Sequence, residues 1–196
     1  MRKQKQQVTV LPTMDQVEKE RARLRYKRRY SRTLKSTIAI LIVVAAAAVL
    51  VATLWMPVLR IYGSSMTPTL QDGQIVVTVK TSSFKHGDIV AFYHGNKLLI
   101  KRYIAGSGEW VNIDEDGNVT VNGETLDEPY ITEKAYGETN IELPYQVPDN
   151  RIFVMGDNRD VSIDSRSTTV GCIADDQIVG KVVLCIWPLE NFGWIQ

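Results

Sequence analysis

Between Lys35 and Arg60 the chain carries no charged residue, and Ser36–Leu59 reads STIAILIVVAAAAVLVATLWMPVL. A helix rises about 1.5 Å per residue, so about 20 apolar residues cross a hydrocarbon core of about 30 Å. Lipid offers no partner to a backbone N–H or C=O, and a helix satisfies its own. The segment is therefore predicted to be one transmembrane helix over 36–59. Trp55 suits an interfacial anchor, and Pro57 marks the exit. The length and the lack of a polar face argue against a buried core helix. A cleaved signal peptide would need a shorter apolar run and a clean A-x-A site ahead of a mature start.

Charge sets the direction of this span. Lys19, Arg21, Arg23, Arg25, Lys27, Arg28, Arg29, Arg32 and Lys35 precede it, with only Glu18 and Glu20 nearby. The positive-inside rule then assigns residues 1–35 to the cytoplasm as a basic tail and residues 60–196 to the outside. Residues from about Thr13 to Lys35 read either as a basic juxtamembrane helix touching anionic membrane lipid or as a solvated tail whose charge is only topogenic. The net charge is +1, so bulk charge names no partner, and no nucleic acid is expected. Cys172 and Cys185 are too few for a disulfide scaffold and lack metal-ligand spacing. They read as small apolar packing residues, or as one disulfide if the domain lies outside the cell.

After Arg60 the pattern becomes alternating and β-branched. Gln74–Lys80, Asp88–Tyr93, Lys97–Ile104, Asn118–Asn122, Arg151–Met155 and Ile178–Ile186 all read as strands, separated by turn residues such as His94-Gly95-Asn96 and Asn122-Gly123. The fold class is mainly β: an antiparallel β-sheet domain over 60–196 preceded by one transmembrane α-helix. Asp114–Leu126 reads as a hairpin within a small inserted cap subdomain at about 106–149.

The familiar nucleophile systems are missing. The only histidines, His86 and His94, sit in turns, and there is no HExxH, Walker loop or GxGxxG. Neither cysteine has a polar or basic context that would lower its pKa. A serine activated by something other than histidine remains. Gly63-Ser64-Ser65-Met66-Thr67-Pro68-Thr69-Leu70 is the candidate run, just past the membrane exit. A second element is Lys101 in the apolar strand Leu98–Ile104. Alternation puts Leu99, Lys101 and Tyr103 on one face and Leu98, Ile100, Arg102 and Ile104 on the other. Burial lowers a lysine's pKa and makes the amine a usable base, whereas an arginine never deprotonates. A third element is the polar loop Gly156–Arg166 that follows an apolar strand.

These elements, in this order behind one span, resemble the bacterial type I signal peptidases, which are Ser/Lys proteases. The family's serine box is similar to Ser65-Met66-Thr67-Pro68-Thr69-Leu70, preceded by Gly63, and the following box to Gly87–Phe92. The lysine box is similar to Ile100-Lys101-Arg102-Tyr103-Ile104. The final box is Gly156-Asp157-Asn158-Arg159-Asp160, followed by Ser162, Asp164, Ser165 and Arg166. Val121-Asn122-Gly123 and Glu128-Pro129-Tyr130 also fit, so the resemblance covers about 36–190. Two features depart from it. Ala105-Gly106-Ser107-Gly108-Glu109 replaces a Gly-Leu-Pro-Gly-Asp turn, and Gly63 stands where some members carry an oxyanion-hole serine.

The resemblance implies that Ser65 is the nucleophile and Lys101 the general base. Ser162 would hydrogen-bond the amine, and Asp164 and Arg166 would form an ion pair behind it. The oxyanion hole would draw on Ser65 and Gly63, whereas Ile61, Met66, Leu70, Leu99 and Ile100 would line small pockets. The substrates would be secretory preproteins cut after an A-x-A-type site, with no metal and no cofactor.

Overall fold

The computed structural model describes residues 13–195, and the chain divides into two units after Leu50. The first twelve residues of the expected tail lie outside the described residues. Helix α1 runs unbroken from Met14 to Trp55, so the basic stretch and the apolar span form one helix. No side chain along it is buried. It ends four residues before the expected limit, because Pro57 has no N–H to extend it. Val58 and Leu59 already belong to a strand, β1 (Val58–Arg60).

The larger unit continues through β2 (Ile75–Val79), β3 (Ile89–His94), β4 (Lys97–Ala105), β5 (Trp110–Ile113), β6 (Val119–Val121) and β7 (Glu124–Thr125). It is completed by β8 (Tyr145–Gln146), β9 (Arg151–Met155), β10 (Ile173–Ala174), β11 (Ile178–Trp187) and β12 (Gly193–Trp194). The main sheet has the antiparallel order β1-β2-β11-β3-β4-β9-β10, with β12 on β11. A smaller sheet, β7-β6-β5-β8, falls inside the expected insert. The six strands expected from the sequence are β2, β3, β4, β6, β9 and β11, most within a residue or two of their limits.

Turn chemistry sets the registers. β3 and β4 join through Gly95-Asn96, with φ +57° at Gly95, so His94 pairs with Lys97 and Val90 with Lys101. β6 and β7 join through Asn122 (φ +53°) and Gly123 (φ +85°), the all-positive pattern of a tight hairpin.

Alternation along β4 divides its side chains as expected. Leu99 and Tyr103 pack with Val90 and Phe92 in one apolar cluster, and Ile100 packs with Met66 and Leu70 in another. A third cluster joins Ile104, Phe153 and Met155 of the main sheet to Val111, Ile113, Val119 and Val121 of the smaller one. The smaller sheet therefore shares a hydrophobic core with the main sheet. Cys172 and Cys185 are free thiols buried in different clusters, which leaves the packing reading and removes the disulfide.

Candidate active site

Two strands and one turn meet at a cavity of about 540 Å³. β1 and the residues after it contribute Leu59, Ile61 and Gly63; the turn contributes Ser65 and Met66; the first half of β4 contributes Leu99, Ile100 and Lys101. The turn begins at Gly63, whose φ of +88° suits glycine, and its N–H donates to Asp72 Oδ1 at 2.8 Å. Thr67 N–H then bonds the Ser64 carbonyl and Leu70 N–H the Met66 carbonyl, coiling the segment. Ser65 is half-buried on the cavity wall, while Ser64 is exposed and off it. The Ser65 N–H, the Ser65 hydroxyl and the Lys101 amine make no hydrogen bond among the described residues.

Lys101 is only 4% exposed. Burial pulls its amine from the ordinary 10.5 down to about 8; Asp164 and Asp157 pull the other way, and Arg166 adds to the lowering. Both histidines lie off the cavity wall, and His86 Nδ1 is 2.5 Å from the Ile104 carbonyl oxygen.

The cavity lies between two open strand edges. Among the described residues β1 pairs only with β2. β4 pairs with β3 along Lys97–Arg102, but β9 joins its other edge only from Arg102 onward. Among the described residues the edge of β4 at Lys97–Lys101 is therefore unpaired, the arrangement that accepts an extended peptide.

Behind Ser65 and Lys101 lies the loop after β9. It holds buried charges in pairs. Asp164 accepts from Arg166 Nε and Nη2, each at 2.9 Å, and from the Gly156 N–H at 2.9 Å. Asp157 accepts from Arg102 Nε at 2.9 Å and Nη2 at 2.5 Å, and from the Thr69 hydroxyl at 2.5 Å. Glu128 accepts from both Nη atoms of Arg159. The loop is tied to the serine turn by Asn158 N–H, which donates to the Ser65 carbonyl at 3.1 Å.

Ile61, Met66, Leu99 and Ile100 line the cavity, and Asp164 and Arg166 form an ion pair. Three expectations need correction. Leu70 is 1% exposed in the apolar cluster under the turn and is no part of the Ser65 cavity, because the coil after Ser65 turns its side chain inward. Gly63 lines the cavity, but its N–H is occupied by Asp72 and cannot serve an oxyanion. Ser162 does not bond Lys101: its Oγ is buried and has no partner among the described residues.

Sequence reasoning missed the roles of Arg102, Asp157, Thr69, Glu128 and Arg159. The available signal was an arginine inside an apolar strand, since a buried guanidinium requires a carboxylate.

Gly156 is the tightest point. A Cβ there would lie 2.5 Å from the Ser65 carbonyl oxygen and closer still to Ser162 Oγ. Gly156→Ala is expected to push the serine turn away from the loop. We expect a loss of activity of about tenfold or more and a destabilisation of about 1–3 kcal/mol. Steady-state rates and thermal unfolding of the purified variant check this; wild-type values for both would refute the contact.

The family model described as signal peptidase, peptidase S26, matches residues 33–187. Signal peptidase IB of Staphylococcus aureus (strain COL) is 38% identical over 153 residues, 67% of this chain and 78% of that protein. Signal peptidase I of Bacillus licheniformis is 36% identical over 166 residues, 78% of this chain and 88% of that protein. A solved signal peptidase I from Enterococcus faecalis V583 is 29% identical, covers 50% of this chain and 96% of its own, and superposes with a TM-score of 0.43.

Proposed function

The chain belongs to the signal peptidase family, peptidase S26, and from that premise we propose that it is a membrane-anchored serine endopeptidase that frees secretory preproteins from their signal peptides with a Ser65–Lys101 dyad. One observation carries the dyad. A half-buried serine and a buried lysine with a depressed pKa line the same apolar cavity, between two open strand edges.

The substrate lies extended along those edges and is held by main-chain hydrogen bonds. Ile61, Met66, Leu99 and Ile100 leave room for small side chains at the −1 and −3 positions, so the cleaved site is of the A-x-A type. Neutral Lys101 takes the Ser65 proton as the oxygen attacks the scissile carbonyl. The oxyanion is held by the Ser65 N–H, which makes no hydrogen bond among the described residues. Lys101 then gives the proton to the leaving amine, and a water deprotonated by the same amine hydrolyses the acyl-enzyme. The basic residues ahead of the span put the N-terminus in the cytoplasm and the larger unit outside, with the lysines and arginines nearest the span against anionic lipid.

The pH dependence tests the base. Only the neutral amine accepts a proton, so kcat/KM on an A-x-A preprotein should rise with pH through about 8 and level off above it. A rate that is flat between about pH 6 and about pH 10 removes Lys101 from this role.

A further inference from the structure

The insert does more than share a core with the main sheet. After its β7 strand, the segment from Glu128 to Asn140 wraps the loop that backs Ser65. Glu128 is 7% exposed, and its carboxylate takes both Nη atoms of Arg159, which is 1% exposed. Arg159 Nε donates to the Gly156 carbonyl at 3.1 Å. Further along the insert, the Tyr136 carbonyl accepts from Arg166 at 2.9 Å, and Asn140 N–H donates to the Arg166 carbonyl at 3.0 Å.

Gly156 is where this clamp meets the proposed chemistry. Its N–H is fixed by Asp164 and its carbonyl by Arg159, and its Cα lies against the Ser65 carbonyl and Ser162 Oγ. A guanidinium has its donors in one rigid plane, so the carboxylate that grips the two Nη atoms also sets where Nε points. We propose that Glu128 is a positioning residue for the nucleophile: through Arg159 it fixes the Gly156 peptide against which the Ser65 turn rests. The proposal rests on the Ser65–Lys101 reading. Glu128 touches neither the cavity nor the dyad, so its effect falls on the alignment of attack and not on substrate binding.

Two variants of the full-length protein in detergent separate positioning from stability. Glu128→Gln leaves Arg159 charged without its carboxylate. The double variant Glu128→Gln/Arg159→Gln removes both charges, and with them the cost of an unpaired buried ion, but it also removes the Nε–H that holds Gly156. Rates on an A-x-A preprotein are expressed per folded molecule, well below each melting temperature. We expect kcat to fall by about tenfold or more in both variants with KM within about twofold of wild type, while the double variant recovers stability lost in the single one. Recovery of wild-type kcat together with stability in the double variant overturns the proposal, as does failure of both variants to fold, which makes Glu128 a stability residue. Wild-type cleavage of the same preprotein, and its loss in Ser65→Ala, report on the underlying reading separately.

Discussion

A Lys101→Met enzyme is expected to cut no preprotein and yet to withstand heating better than wild type at neutral pH. The activity loss follows from removing the proposed general base, and should reach about 10³-fold or more. The gain in stability follows from linkage. The folded-state pKa of Lys101 is about 8, against an ordinary 10.5. Between these values the unfolded chain binds the proton and the folded chain does not, so stability rises with pH through this window. Below it, folding carries the whole cost of burying or neutralising the amine, on the order of 3 kcal/mol. Methionine fills the same apolar space without that cost. The melting temperature of the variant should exceed that of wild type at pH near 7, and the gap should shrink as the pH approaches about 10.5. A less stable variant at neutral pH would show that the lysine is held by favourable contacts and kept charged.

The second large effect belongs to Asp164. Its carboxylate takes two hydrogen bonds from the Arg166 guanidinium, one from the Arg166 N–H and one from Gly156 N–H, with both side chains of the ion pair fully buried. Asp164→Asn leaves a buried guanidinium without this counter-charge, which costs about 3–5 kcal/mol. The same carboxylate raises the Lys101 pKa, so its neutralisation should lower that pKa further. The variant should melt well below wild type, and the surviving activity should keep its plateau down to a lower pH. Thermal unfolding and the pH–rate profile read the two effects separately. A profile shifted upward would contradict the electrostatic account.

Much of this was legible in the chain because the signals are local. The span needs only a run of uncharged residues, and the strands need only alternation between turn residues. Ser65 and Lys101 stood out through the motifs around them, and the alternation along β4 correctly divided Leu99 and Ile100 between two faces. The connections between the elements were not legible. Arg102 meets Asp157 across 55 residues, and Arg159 meets Glu128 across 31. Both depend on β4, β9 and the insert coming together around one core, which no local pattern encodes. The corrections to Gly63 and Leu70 have a similar origin. Glycine at a turn indicates a left-handed backbone but not that Asp72 takes its N–H. An apolar residue five positions after Ser65 could line a pocket or fill the core, and the coil at 66–70 decides for the core.

Ser65, and not its neighbour Ser64, is the proposed nucleophile. The most direct measurement incubates wild type, Ser64→Ala and Ser65→Ala, each folded in detergent, with one preprotein carrying an A-x-A site, and identifies the product by mass. Wild type and Ser64→Ala are expected to release the mature protein at that site, while Ser65→Ala should release none above the uncatalysed rate. Cleavage at the same site by Ser65→Ala would contradict this role.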